Sequence, residues 1–315
     1  MGMWVHFWKG PVIVMSLFQR NKQRTWSIVT SAPKGEAGHQ WGDYWFAQDL
    51  AAALTHEGVQ VKVRSRAGAN SDSLKDDDVV IVLRGLRRVV PNNDNAQWFL
   101  WVISHPELVE QGEAAQYTKA FAASERWTPG PEFGAFIPLL QATNTDRFAP
   151  VSHPERKGVY FIGSTRGEFR PIVRDALGQG IGLSLYGVGW SEFVAPELIA
   201  GEFVDNRELP QIYANSALIL NDHHRDMAAN GFLSNRLFDA VAAGARVVSD
   251  PVLGLREVFG DSVVEYQSPE HLTRIVTDPE YFFTSDRIES DRERIRRDHS
   301  FTARARYLIA EANRG

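Results

Sequence analysis

The sequence predicts an α/β protein built from two doubly wound, parallel-sheet halves that face each other across a cleft. Short apolar runs of strand length alternate with helix-spaced patterns along the chain. The alternation lapses once, in the polar, Pro-punctuated stretch 138–158, "PLLQATNTDRFAPVSHPERKG", and then a second series of similar length begins. Parallel strands bind ligands beyond their carboxyl ends, so two such halves place a cleft between those ends.

In the first half, "WSIVTSA" (26–32) reads as a buried strand, followed by the Gly-containing loop "PKGEAGHQWGD" and a helix over 43–57 that stops at Gly58. Strands follow at 59–65, 78–85, 97–104 and 120–124. The second half reads as strands at 158–164, 183–187, 217–221, 245–250 and 262–266. Its helices fall near 168–178, 208–215, 234–243, 254–259 and 269–276. From Ser300, "FTARARYLIAEA" repeats apolar residues at helical spacing and is expected to pack back on the first half. The domain reading is therefore a leader at 1–24, an acceptor-side domain at 25–150, a donor-side domain at 151–299 and a returning helix at 300–315.

Of the 315 residues, 43% are hydrophobic and 23% charged, an ordinary globular balance with room for two cores. The net charge of -5 provides no global basic field, so no nucleic-acid partner is expected. The absence of cysteine excludes disulfide and thiolate chemistry and suits a reducing, cytoplasmic setting. The apolar run at 11–18 is shorter than the roughly 20 residues a membrane span needs. It reads as an unordered leader, with peripheral membrane association left as the alternative.

The most informative segment is "NGFLSNRLFDAVAAGARVVSD" (230–250). Ser234 stands where a helix N-cap belongs and Gly244 where the helix should end. A helix N-terminus facing the cleft offers free N–H groups and partial positive charge to a diphosphate. Arg236 could grip the phosphates as a bidentate donor, and Asp239 could accept two ribose hydroxyls. Three apart on a helix, they could instead form a surface ion pair.

The block "GFLSNRLFDAVAAGARVVSDPVLGLREVFG" resembles the donor-binding core of CgeB-type glycosyltransferases of the GT-B superfamily. Their pattern runs Asn, Arg, Phe, Glu or Asp, then an alanine-rich turn and Gly. The likeness extends through "ELPQIYANSALILN", "SPEHLTRIV" and "HSFTARARYL", and less closely to "LWVISHPELV". It implies a GT-B fold and transfer of a hexose-type sugar from a nucleotide diphosphate donor (UDP-, GDP- or dTDP-linked). The implied acceptor is a hydroxyl on a saccharide, a lipid-linked sugar or a protein. No bound cofactor is expected. By the same resemblance Asp239 matches the ribose-holding acid, and Asn235 and Arg236 the phosphate end. Many retaining relatives carry a second acid eight positions before the ribose acid; here that position is Gly231, which leaves the stereochemistry open.

Gly163, Ser164 and Arg166 form a second candidate phosphate cradle, or else an ordinary strand-to-helix turn. His105, ending a strand of the first half, is the leading catalytic candidate with Arg236; a structural histidine is the alternative. His39 and Asp43 occupy the acceptor side, where either could act as general base, or serve as a loop residue and a helix cap. In "NDHHRD" (221–226) the adjacent histidines should point apart in a polar loop. No carboxylate cluster near the diphosphate is evident, so metal-independent chemistry is expected. Two rivals share the fold: a sugar-nucleotide epimerase, and an inactive module that binds a glycan or partner.

Overall fold

A computed structural model describes residues 24–68, 74, 76–278, 281 and 286–314. The expected leader lies outside these residues except for Arg24, whose guanidinium donates to Asn313 Oδ1 at 2.8 Å.

The first half holds β1 (Thr25–Val29), a short α1 (Glu36–His39), α2 (Gly42–His56), β2 (Gln60–Arg64), β3 (Val79–Arg84), β4 (Gln97–Val102), β5 (Lys119–Ala122) and β6 (Ile137–Pro138). These strands form one sheet in the order β2-β1-β3-β4-β5-β6, with every pair parallel. The second half holds β7 (Lys157–Ile162), α3 (Pro171–Gly178), β8 (Ser184–Tyr186), β9 (Ile199–Gly201), α4 (Leu209–Asn215), β10 (Ser216–Asn221), α5 (Arg225–Ala229), α6 (Asn235–Ala242), β11 (Val247–Ser249), α7 (Leu255–Phe259), β12 (Val263–Glu265), α8 (Pro269–Thr277), α9 (Asp286–Asp298) and α10 (Phe301–Asn313). Its sheet runs β12-β11-β10-β7-β8-β9, again all parallel. Apolar runs such as "VVIVLR" in β3 are buried along their whole length, as strands covered on both faces must be.

Strand order reverses between β1 and β3 in the first sheet and between β7 and β10 in the second. These are the topological switch points, where loops leaving the carboxyl edge diverge and open a crevice. Both sites described below lie there.

The second sheet is sandwiched by α3 and α8 on one face and by α4, α6, α7 and α9 on the other. The first sheet is less well supplied. Among the described residues its own chain gives one long helix, α2; the opposite face is covered by loops and short 3-10 turns carrying Val109, Ala114 and Tyr117. The shortfall beside α2 is met by α10, the last helix of the chain. Phe301 and Phe46 meet edge to face with ring centroids 4.8 Å apart, and Ala305, Leu308 and Ala312 join the same core. The sequence-predicted terminal helix therefore does return to the first sheet.

The segment after β6 runs alongside the start of α10, and Thr143 bridges to Ser300. Arg304 fastens this crossing from within. Its buried guanidinium donates to Leu140 O at 2.7 Å, Asp298 O at 2.9 Å and Gln141 O at 3.1 Å, and contacts His299 Nδ1 at 2.8 Å. Burial lowers its pKa to about 10, which leaves it charged at neutral pH. Hydrogen bonds from a charged group stabilise by roughly 1.5–3 kcal/mol each. Arg304→Met, which keeps the stem and deletes the donors, should lower stability by about 3 kcal/mol or more, read as a shifted midpoint in urea.

Candidate functional site

Three guanidiniums converge at the β7/β10 switch point. Arg236, two residues into α6, lies over the Phe161 ring at 5.4 Å and donates to Asn221 Oδ1 at 2.9 Å. The Tyr213 hydroxyl accepts from it as well. Burial, and then the charge of Arg170, lowers the Arg236 pKa, while Tyr213 and Asp222 raise it. Arg170 is held bidentate by Asp222, with Nε 3.1 Å from Oδ2 and Nη2 on Oδ1, and is neutralised there. Arg166 extends from the loop after β7 with φ 58° and no carboxylate partner among the described residues. The surrounding protein, and then the charges of Arg170 and Arg236, lower its pKa to about 10, so it too keeps its proton at neutral pH. These three cations, offset by Asp222 and by the nearby Asp226 and Asp250, stand beside the first N–H groups of α6, an arrangement suited to an anion.

Several expected site residues enter for reasons other than those the sequence suggested. The Gly163 N–H, expected to cradle phosphate, is taken by Tyr186 O at 2.7 Å. Glycine is required at 163 because a Cβ would stand 2.8 Å from Arg236 Nη2. Ser164 Oγ accepts from Val188 N at 3.2 Å, which closes the turn. Ser234 has N-cap backbone geometry but makes no side-chain cap bond; its N–H donates to His223 Nε2 at 2.9 Å. His223 Nδ1 faces Asp250 Oδ1 at 2.7 Å, so that ring fixes the entry to α6.

Asp239 does not pair with Arg236. Its Oδ1 accepts from Thr143 Oγ1 at 2.8 Å and its Oδ2 from Asn235 Nδ2 at 2.7 Å. It is 8% exposed. Burial pushes its carboxyl up to about 8, with Thr143, Arg147 and Asn235 pulling the other way. Asn235 Oδ1 is itself buried with no partner, an orphaned acceptor beside the carboxyl.

Across the cleft, His105 follows β4 in left-handed backbone conformation (φ 54°, ψ 54°), a strained position that turns its ring out of the sheet edge. Its ring stands 5.3 Å from that of His224, which follows β10 and points away from His223. Burial, then Arg166 and Arg170, lowers the His224 pKa to about 4, so it is neutral at pH 7. Asp43, at the start of α2, lies close enough to His105 for that charge to stabilise its carboxylate. Burial outweighs this and raises the Asp43 pKa. Gly85 makes room for it: a Cβ there would lie 3.0 Å from Ser31 Oγ and 3.5 Å from Asp43 Oδ2. His39 lies apart from this pair, its ring tilted against that of Tyr44 with centroids 4.6 Å apart, on the wall of a neighbouring cavity.

The sequence shows no carboxylate cluster near the diphosphate, but the fold builds one from two distant segments. His105, Glu107 and Asp226 bring ligand atoms within 4.8 Å of one another. His105 Nδ1 and Glu107 Oε1 are 3.0 Å apart. Burial, and then the neighbouring Asp226, raises the Glu107 pKa. The end of the stretch 221–226, read as a polar loop, enters α5, which brings Asp226 to this place.

Gly231 is shaped by domain contact. At φ +68° a Cβ would meet Arg126 Cβ and Leu253 O, both at 2.8 Å, and Ser124 Oγ at 3.1 Å. No side chain fits at the position where related enzymes carry a second acid.

Two Rossmann-like domains with opposed carboxyl edges make up the GT-B fold. Residues 166–310 match the sequence family described as glycosyl transferase-like. No curated protein sequence matches the chain. Among solved structures it is similar to AviGT4, a glycosyltransferase involved in avilamycin A biosynthesis, at 15% identity and TM-score 0.59, over 92% of this chain and 97% of that one. Sucrose-phosphate synthase from Thermosynechococcus elongatus aligns at 13% identity and TM-score 0.64, covering 92% and 99%. The T4 phage BGT in complex with UDP and Mn2+ aligns at 9% identity and TM-score 0.62, covering 91% and 99%. At these identities the likeness shows the fold.

The raised Asp239 pKa has a consequence for stability. Between its unfolded value near 3.8 and about 8 the folded protein holds this proton more tightly than the unfolded chain does. Its contribution to stability is therefore complete below the lower value and is lost as pH rises through the upper one. Asp239→Asn should gain on wild type in melting temperature as pH rises from about 5 to 8.5. A constant difference across that range would show that the carboxyl is not buried as described.

Proposed function

We propose that the protein is a glycosyltransferase that moves a hexose-type sugar from a nucleotide diphosphate donor to a hydroxyl acceptor, with residues 151–299 holding the donor and 25–150 the acceptor. A cytoplasmic setting, where nucleotide sugars are at hand, suits this reading; among the described residues no helix is long and apolar enough to cross a membrane. The observation that carries it is the surplus of guanidinium charge at the β7/β10 switch point, next to the start of α6. Arg166, Arg236 and the α6 N–H groups would stabilise the diphosphate as it leaves. The orphaned Asn235 Oδ1 and the Asp239 carboxyl would meet the ribose, whose hydroxyls would replace Thr143 or Asn235 on Asp239.

Asp43 is the general base in this proposal. A half-buried carboxyl with a raised pKa beside His105 is suited to taking a proton from the acceptor hydroxyl, because base strength is then better matched to neutral pH. Glycine at 231 leaves no acid there to assist retention, so transfer would invert the anomeric centre. The charge of the arginines makes the reaction metal-independent in this reading; the cluster of His105, Glu107 and Asp226 is where a divalent cation would enter if it is not.

Two measurements test this. In a thermal-shift panel of UDP-, GDP- and dTDP-sugars, run with and without excess chelator, a donor at a hundred times its dissociation constant should stabilise the fold by about 2.7 kcal/mol. Arg236→Gln should weaken that donor by about tenfold to a hundredfold through lost charge-assisted bonds, and Asp239→Ala by about tenfold through lost hydrogen bonds to the ribose. An unshifted melt throughout the panel would remove the proposal, and turnover that needs added metal would remove its metal-free form.

Asp43→Asn should lower kcat by about 10²–10⁴-fold while donor affinity stays within about twofold. Proton NMR of the product anomer should show inversion. Conversion of the sugar nucleotide without any acceptor would instead identify an epimerase.

A further inference from the structure

The acceptor side has a charge pattern that the chain as a whole does not. Two cavities open at the carboxyl edge of the first sheet and meet at Thr30. One, of about 280 Å³, lies at the β1/β3 switch point and is lined by Arg66, Arg87 and Arg88. The other, of about 410 Å³, lies between β1 and β2 and is lined by Lys34, Arg64, His39 and Tyr44. Five cationic side chains face these cavities and, among the described residues, no Asp or Glu lines either. In a chain with 39 acidic and 34 basic residues that segregation is local.

The partners of these cations sharpen the pattern. Arg88 is engaged by Glu110, and Arg64 Nε lies 3.3 Å from Ser27 Oγ. Arg66 lies 5.9 Å over the Trp41 ring, and it and Arg87 have no carboxylate partner among the described residues. A guanidinium held on an aromatic face and open to a cavity is set to bind an oxyanion in fixed geometry. The His39–Tyr44 ring pair, centroids 4.6 Å apart, supplies an apolar wall next to this charge.

We infer that the acceptor is a sugar bearing a phosphate, its phosphate gripped by Arg66 and Arg87 and its ring set against Tyr44 and His39. This rests on the acceptor assignment made above and names the acceptor's chemical class. Cavities of this size are those of a small-molecule site, so the occupant proposed is a sugar phosphate, and nucleic acid is the alternative outcome of the test.

The test compares wild type with Arg66→Gln/Arg87→Gln, Arg87→Glu and Arg236→Gln, using calorimetry with glucose 1-phosphate, glucose 6-phosphate, glucose, UDP, GDP, dTDP and a short DNA duplex. At least one sugar phosphate should bind wild type about tenfold or more tightly than glucose does. That binding should fall about tenfold in Arg66→Gln/Arg87→Gln and further in Arg87→Glu, with nucleoside diphosphate binding unchanged as evidence of folding. Arg236→Gln should do the reverse, so failure of the donor site and failure of the acceptor site read out separately. Sugar phosphates that bind no better than glucose at millimolar concentration, or bind equally well to the Arg66/Arg87 variants, overturn the inference. Binding that depends on Arg66 and Arg87 for the DNA duplex alone overturns it in favour of nucleic acid.

Discussion

A parallel sheet exposes apolar side chains on both faces, and each face must be covered. In this molecule that requirement organises the rest. The first sheet has one long helix of its own among the described residues, α2, so the end of the chain is drawn across to complete the layer. The crossing passes the segment after β6 beside α10, where Arg304 saturates the carbonyls of Leu140, Gln141 and Asp298. The same crossing sets Thr143 against Asp239, so the requirement to cover the first sheet reaches the environment of a donor-site candidate in the second domain.

Both switch points gather guanidiniums. At that of the second domain, Phe161 screens two of them from water from beneath. On the first domain a carboxylate and a histidine stand at the edge of the cleft, with Asp43 made more basic by burial. In a cleft that excludes water both effects strengthen, because charge interactions grow as the local dielectric falls. A leaving diphosphate would then meet fixed positive charge on one wall, while the proton released by the acceptor meets a base on the other.

The architecture was legible in the sequence where burial is decided locally. Apolar runs such as "VVIVLR" and "ALILN" declare strands covered on both faces, and Phe301, Ala305 and Leu308 declare the face of α10. What could not be read depends on residues far apart in the chain. The segment at 225–229 is polar and short, yet it becomes helical where Met227 and, just beyond, Phe232 pack into the core of the first domain. Glu107 and Asp226 become neighbours only once the halves close. Gly163 looks like a phosphate-loop glycine in sequence; its reason is the guanidinium of a residue 73 positions later, which no local pattern announces. Three-residue spacing offered Arg236 and Asp239 a surface ion pair as the alternative to donor binding, but each is drawn to a deeper partner.

Closure of the two halves is specified by shape as much as by charge. Ser124 Oγ donates to Asn230 O at 2.6 Å, Gln141 Nε2 to Leu233 O at 3.2 Å, and Trp127 meets Phe232 with centroids 5.5 Å apart. All three grip the stretch between α5 and α6, immediately before the arginine and the N–H groups assigned to the diphosphate. Gly231, in left-handed conformation with no room for a Cβ, is the point at which the first domain presses closest. The segment that leads into α6 is therefore positioned by the first domain. A shift of that domain would move the start of α6, and with it Arg236, relative to Asn221 and Phe161. Glycine at 231 is thus what lets Ser124 and Arg126 of the first domain approach the chain just before α6.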